Sequence, residues 1–158
     1  MIFGHENDGN ISRLMKAICK YPVFPIIGSG ENLIQPIYIY DLIRYFEEAI
    51  LNPRHYNRIY DVGSAYPISN KRLFKTIARK LNKKIWLVSV PPKPAVWLIK
   101  TMRKLGLKPP VSPEQILRFQ EDKHIDLFPA CKAFTVKPKS FEEALKEIII
   151  NKTSKSRS

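Results

Sequence analysis

The chain has 158 residues, 44% of them hydrophobic, which suits one domain with a real core and excludes a wholly disordered polypeptide. Its apolar runs, such as residues 85–90 and 95–99, fall well short of the roughly 18 residues a membrane-spanning helix needs. The net charge of +13 is concentrated, because residues 62–113 carry twelve Lys and Arg and no Asp or Glu.

Residues 1–10 include Glu6 and Asp8 and put no basic residue before a hydrophobic run, so a secretory signal is not expected and cytoplasmic is the default location. The first periodic segment is Ile11, Leu14, Met15 and Ile18, whose i, i+3, i+4, i+7 spacing predicts a one-sided helix ended by Pro22 and Pro25. Ile26 and Ile27 then run into a turn at Gly28-Ser29-Gly30. Ile37, Tyr38, Ile39 and Tyr40 are β-branched or aromatic and predict a strand, with Asp41 as the cap of a helix over residues 42–51 that Asn52-Pro53 stops.

A second strand is expected at residues 59–62, leading into Gly63. Ser69 is placed to cap a helix with Leu73, Phe74, Ile77, Ala78 and Leu81 on one face and Lys71, Arg72, Lys75, Arg79 and Lys80 on the other. Residues 85–90 predict a third strand that ends at Pro91-Pro92, and Pro94 suits the first turn of the next helix. Ser112-Pro113-Glu114-Gln115 and Ser140-Phe141-Glu142-Glu143 each have capping-box spacing, the second opening a final helix that buries Ala144, Leu145, Ile148 and Ile149. The expected organisation is one α/β domain over residues 1–150, with short, mainly parallel strands and flanking helices, followed by a disordered basic tail over 151–158.

Several chemistries fail on spacing. Gly28-Ser29-Gly30-Glu31-Asn32-Leu33 begins like a dinucleotide loop, but Leu33 replaces the third glycine, and Pro36 and a strand follow where a helix N-terminus is required. Neither a Walker-type loop nor a GxSxG elbow occurs. Glu47-Glu48 and Glu142-Glu143 are adjacent on helices and diverge by about 100° instead of converging on a substrate. Cys19 and Cys131 lack metal or redox spacing and are expected to be reduced packing residues, and His5, His55 and His124 have no i, i+4 partners that would build a metal site. No tyrosine has a lysine four residues later, the spacing that would set an ammonium beside a phenol on one helical face.

The order of segments resembles the C-terminal, substrate-side half of the extended short-chain dehydrogenase/reductase family, the NAD(P)-dependent epimerases and dehydratases. The resemblance rests on Met1-Ile2-Phe3-Gly4, on Pro25-Ile26-Ile27-Gly28-Ser29-Gly30 followed by Gln35-Pro36-Ile37-Tyr38-Ile39-Tyr40-Asp41-Leu42, on Ile59-Tyr60-Asp61-Val62-Gly63, on the stretch from Ile68 to Ala78, and on that from Phe134 to Leu145, with Thr135 where the family often has glycine. Within the family the sequence looks closer to the divergent branch that includes the nucleotide-binding accessory subunit of respiratory complex I. Gln35-Pro36 stands where many sugar-processing members carry Arg-Asp.

The resemblance implies the C-terminal part of a Rossmann-like NAD(P)-binding fold. It places Gly4 near the cofactor, and Asn7, Gln35 and Tyr38 near a nucleotide-linked small-molecule substrate, with Arg72, Lys75 and Arg79 as candidates to hold its diphosphate. The family's glycine-rich loop and Tyr-x-x-x-Lys pair have no counterpart here. The chain alone is therefore expected to bind NAD or NADP poorly and to be inactive. An N-terminal Rossmann half or second subunit would be the partner, and Met1 an internal methionine of a longer frame. The acid-free segment 62–113 reads first as a solvated basic face. The alternative is a module for an anionic surface, in which the helix carrying Trp97 lies weakly on lipid headgroups; nucleic acid is disfavoured because no reading motif is present.

Overall fold

A computed structural model describes residues 1–5, 8–104, 121–123 and 125–155. The elements in chain order are β1 (Ile2–Phe3), α1 (Ile11–Lys20), β2 (Val23–Ile27), β3 (Leu33–Ile34), β4 (Ile37–Tyr38), α2 (Ile39–Leu51), a 3-10 turn (Pro53–His55), β5 (Ile68–Ser69), α3 (Asn70–Lys80), β6 (Trp86–Val90), α4 (Pro92–Lys104), α5 (Phe128–Ala133) and α6 (Phe141–Lys155). The first of the two expected capping boxes, at Ser112, lies outside the described residues.

Three short ladders organise the fold. β1 runs parallel to β4 with Ile2 beside Ile37 and Phe3 beside Tyr38. β2 runs parallel to β6 from Val23–Trp86 to Ile27–Val90, and β3 is antiparallel to β5. Both parallel pairs are joined through helices, as parallel strands require. β2 tolerates Pro25 because only β6 pairs with it, and its Phe24 and Ile26 point inward while Val23 and Pro25 face out.

The helices form where periodicity and caps agree. Ser69 Oγ accepts the Arg72 amide at 3.3 Å and starts α3. Ser140 and Glu143 make a reciprocal capping box at α6: the Ser140 amide donates to Glu143 Oε2 at 2.8 Å and the Glu143 amide to Ser140 Oγ at 3.3 Å. The Ser140 hydroxyl, which donates to Glu143 Oε2 at 2.7 Å, and then the Ser140 amide hold the Glu143 carboxyl below the usual carboxylate range. With no Gly or Pro to stop it, α6 runs on past residue 150 to Lys155.

Two apolar clusters result. The larger gathers Phe3, Ile11, Met15, Phe24, Leu73, Ile77, Phe141 and Leu145 from β1, α1, β2, α3 and α6. The smaller is built on Ile37, Tyr45, Ala130 and Phe134, with Tyr60 and Val62 against it.

Three expectations are corrected. Residues 59–62 form no strand among the described residues; Tyr60 and Val62 face the smaller cluster and Ile59 stands 98% exposed. Asp41 caps nothing: α2 starts at Ile39, Tyr38 is its N-cap, and the Asp41 carboxylate is 1% exposed and accepts the Lys139 amide at 2.8 Å. A backbone donor 98 residues away binds Oδ2, and Oδ1 is buried with no hydrogen-bond partner among the described residues. Cys19 and Cys131 are free thiols at the surface rather than packed in the core.

Candidate substrate cleft

A cleft of about 290 Å³ opens between β1, α1, β3 and the first turns of α3. The amphipathic faces of α1 and α3 supply Ile11, Leu14, Leu73 and Phe74, Ile34 closes one side, and Met1, Asn10, Asn70 and Lys123 form the rim. Asn70 is held by its amide and its Nδ2, which both donate to the Asn32 carbonyl at 3.1 and 3.3 Å. The neighbouring Lys71 amide donates to Gly30 O at 2.9 Å, and Gly30 sits at a φ of 72° where a Cβ would overlap the Ile26 side chain. The Lys123 amide donates to Leu33 O at 2.7 Å, fixing that residue beside β3. A smaller hollow of about 70 Å³, lined by Pro25, Ile26 and Ile27, shares Asn70 and Phe74 with the cleft.

This lining decides what the cleft can do. An apolar floor with two amides and one ammonium at the rim can seat a flat or apolar group and orient its polar edge. Among the described residues that line it there is no carboxylate, imidazole, thiol or phenol, so these residues supply neither a general base nor a nucleophile.

The residues expected to form a site fall into separate places. Gly4 and Tyr38 do meet: Gly4 has a φ of 120°, and a Cβ there would come to 2.5 Å from the Tyr38 ring. The Gly4 amide donates to Asp8 Oδ2 at 3.0 Å, while Asp8 Oδ1 accepts the Ser12 amide at 2.8 Å, so Asp8 ties the turn before α1 together. Tyr38 is 3% exposed, in ring contact with Phe3 and Tyr40, with the Lys139 ammonium 5.2 Å from its centroid. Burial, and then the nearby Glu147 carboxylate, push its hydroxyl up to about 12, which leaves it protonated near neutrality.

Gln35 is turned inward. Its Nε2 donates to Ser64 O at 2.8 Å and its Oε1 accepts the Ile125 amide at 3.1 Å, so both ends of the amide clasp backbone instead of facing a ligand. Arg72 and Lys75 are exposed on α3 with no ion pair within 4.0 Å among the described residues, whereas Arg79 is bound to Glu142 at 2.7 Å. Asn7 lies outside the described residues.

The basic stretch is acid-free in sequence but not in space. Lys71 pairs with Glu31 at 3.0 Å, and Arg79 and Lys80 share Glu142 at 2.7 and 3.6 Å. Being exposed, these pairs contribute little to stability, yet they dilute the local positive field. No helix among the described residues is long and apolar enough to cross a membrane, and no described group of His, Cys, Asp or Glu could hold a metal ion.

A polar cluster around the smaller core escaped sequence reasoning. His55 is 7% exposed and stacks on Phe134 at 4.1 Å and 6°, with Nδ1 3.3 Å from the Tyr60 hydroxyl. Glu48 accepts the Thr135 amide at 2.9 Å and its hydroxyl at 2.8 Å, and the amide bond leads the causes that hold its carboxyl low. Only the order Asn52-Pro53-Arg54-His55, a helix stop followed by a compact turn, hinted that this histidine would fold inward.

No family model and no curated protein matches the chain. Solved structures do. Over 98% of its length the chain is similar to a UDP-N-acetylglucosamine 4-epimerase from Methanobrevibacter ruminantium M1, solved with UDP-N-acetylmuramic acid, at a TM-score of 0.63 and 20% identity, covering 44% of that chain. It is similar to a UDP-glucose 4-epimerase from Thermotoga maritima, solved with UDP-glucose, at 0.63 and 17%, with 99% and 44% covered. A dTDP-4-dehydrorhamnose reductase from Bacillus anthracis, solved with NADP, matches at 0.62 and 14%, with 95% and 46% covered. The chain thus spans under half the length of these structures, and its fold is an α/β arrangement matching part of their Rossmann-like one.

Proposed function

We propose that this chain is the substrate-binding side of an NAD(P)-dependent epimerase- or dehydratase-like protein, and that it binds a nucleotide-linked small molecule without transforming it. The observation that carries the reading is the pairing of two facts. Nearly the whole chain superposes on less than half of enzymes solved with nucleotide sugars or NADP, and the described residues of the cleft it retains make a binding surface that includes no acid, base or nucleophile. Phe74 and Leu73 would contact the base or another apolar part, and Lys123 would face a phosphate. The phenol, ammonium and dinucleotide loop that proton and hydride transfer need would come from the remaining half of the fold, which would also hold NAD or NADP.

Calorimetric titration of the purified chain with UDP and with UDP-glucose tests this. Saturable binding is expected, weakened about tenfold in Lys123→Ala, on the scale of a lost charge-assisted hydrogen bond. Binding that ignores Lys123→Ala and Phe74→Ala alike would remove the cleft from the account.

A second reading, weak contact of α4 with anionic lipid, is favoured by Trp97, which is 69% exposed on the same helix as the exposed Lys93 and Lys104. Co-sedimentation with vesicles containing phosphatidylserine, lost at high salt, is its expected signature; equal sedimentation with neutral vesicles would reject it.

A further inference from the structure

The β2–β6 ladder has one covered face. Phe24 of β2 sits in the larger core cluster and Leu87 of β6 packs against it. Register partners in a parallel pair share a face, so Val23 with Trp86 and Pro25 with Val88 lie on the other side. There Val23 is 52% exposed, Trp86 74% and Val88 50%, and Pro25 is exposed as well. Tyr21, also exposed, adjoins them, because the Trp86 amide donates to the Pro22 carbonyl at 2.7 Å. Parallel strands are as a rule covered on both faces, whereas this pair leaves an aromatic and aliphatic one bare. With aromatic side chains each worth roughly 150–250 Å², it presents several hundred Å² of apolar surface, at the upper end of what a monomer exposes.

The charge around this face is an independent observation. Residues 9–30 and 62–113, which carry both strands, contain no Asp or Glu. On α3 the cations Lys71, Arg79 and Lys80 are paired with Glu31 and Glu142. Lys20, Lys83 and Lys84, exposed in the segments that lead into the two strands, have no ion pair among the described residues. Because the strands are parallel, those segments lie at the same end of the ladder, and the Lys20 ammonium stands 5.3 Å from the Tyr21 ring centroid. The face is thus apolar along its length and cationic at one end.

We infer that this face is a docking surface for an anionic lipid bilayer, with Trp86, Tyr21, Val23 and Val88 entering the headgroup boundary and Lys20, Lys83 and Lys84 meeting the headgroup anions. Tyr and Trp suit that boundary because each has an apolar body and a polar tip, and lysine stems cover apolar surface while their ammonium groups stay among charges and water. Two other occupants fit worse. A second copy seated face to face would bring these lysines against themselves. A single-stranded nucleic acid needs successive stacking platforms, and aliphatic Val23, Pro25 and Val88 make up most of this face. The surface goes beyond the substrate reading and uses a different element from α4.

The chain's two tryptophans separate the two lipid surfaces. Trp97→Phe leaves Trp86 as the only indole, and Trp86→Phe leaves Trp97. Each variant of the full chain is titrated with phosphatidylcholine vesicles, with and without phosphatidylserine, carrying brominated acyl chains as a quencher. In Trp97→Phe, blue-shifted and quenched emission is expected only with phosphatidylserine present, and high salt should reverse it. Lys83→Ala with Lys84→Ala should lower the partition coefficient about twenty-five-fold, from roughly fivefold per lysine near an anionic surface, with the thermal transition unchanged. An unchanged Trp86 emission, an equal response to neutral vesicles, or an unchanged partition coefficient in the lysine variant would overturn the surface. So would a shift produced by a single-stranded oligonucleotide and not by vesicles. Quenching of Trp97 alone would assign lipid contact to α4 and sink this inference, and quenching of Trp86 alone would uphold it and remove the α4 reading.

Discussion

The two sides of the molecule differ in how completely they are built. On the α1–α3–α6 side the apolar residues are buried, with Ile77 and Leu145 at 0% exposure, the caps of α3 and α6 are made, and the space left over is a bounded cleft. On the α2 side the inner cluster is packed just as well, with Phe134 between Tyr45, His55 and Tyr60, yet the outer face of the helix and the run at 58–62 stay open. The same length of chain has thus closed one side around a bounded cleft and left apolar side chains exposed on the other.

The sharpest way to break that contrast is to truncate one apolar residue on each side. Leu145→Ala, in the closed core, is expected to cost about 3 kcal/mol in denaturant unfolding, whereas Ile50→Ala on the open stripe should stay within about 0.5 kcal/mol. Equal losses would mean that α2 is already covered in the isolated chain. Next in size is Asp41→Ala. It orphans the part-buried Lys139 amide that links α2 to the start of α6, and a loss of about 2 kcal/mol is expected by the same measurement. Ser140→Ala removes one half of a capping box and should cost about 1 kcal/mol, with the loss shared by no residue of α2.

The smallest effect is read at high pH, with one tyrosine in each cluster. Burial, as the leading cause, raises both Tyr38 and Tyr45 from 10.0 to about 12. A raised pKa means the folded state keeps its proton longer, so this contribution to stability is full below about 10 and is lost as pH climbs through about 12. The Tyr45 hydroxyl is buried with no partner among the described residues, so Tyr45→Phe should be nearly neutral at pH 7 and should flatten the alkaline loss. A marked loss at neutral pH would reveal a partner for that hydroxyl.

Much of the closed side was legible in the sequence. The spacing of Ile11, Leu14, Met15 and Ile18, and the caps at Ser69 and Ser140, are local signals, and local hydrogen bonds carry them out. The open side was misread where the deciding partner is distant. Asp41 looked like a cap until the Lys139 amide claimed it, and 59–62 has strand chemistry with no strand to join. β3 and β5 pair over only two residues each, too short for alternation to register. The cleft was the least visible feature, because Asn10, Asn70 and Lys123 are scattered in sequence and carry no motif, while Gln35, which the family resemblance pointed to, is spent on backbone.

Hydrogen exchange of the purified chain with and without saturating UDP tests the division of labour most directly. Slowed exchange confined to residues around 10–14, 70–74 and 123 is the result this account requires, with α2 and 58–62 unchanged. Protection of α2 instead, or of no segment at all, would contradict it.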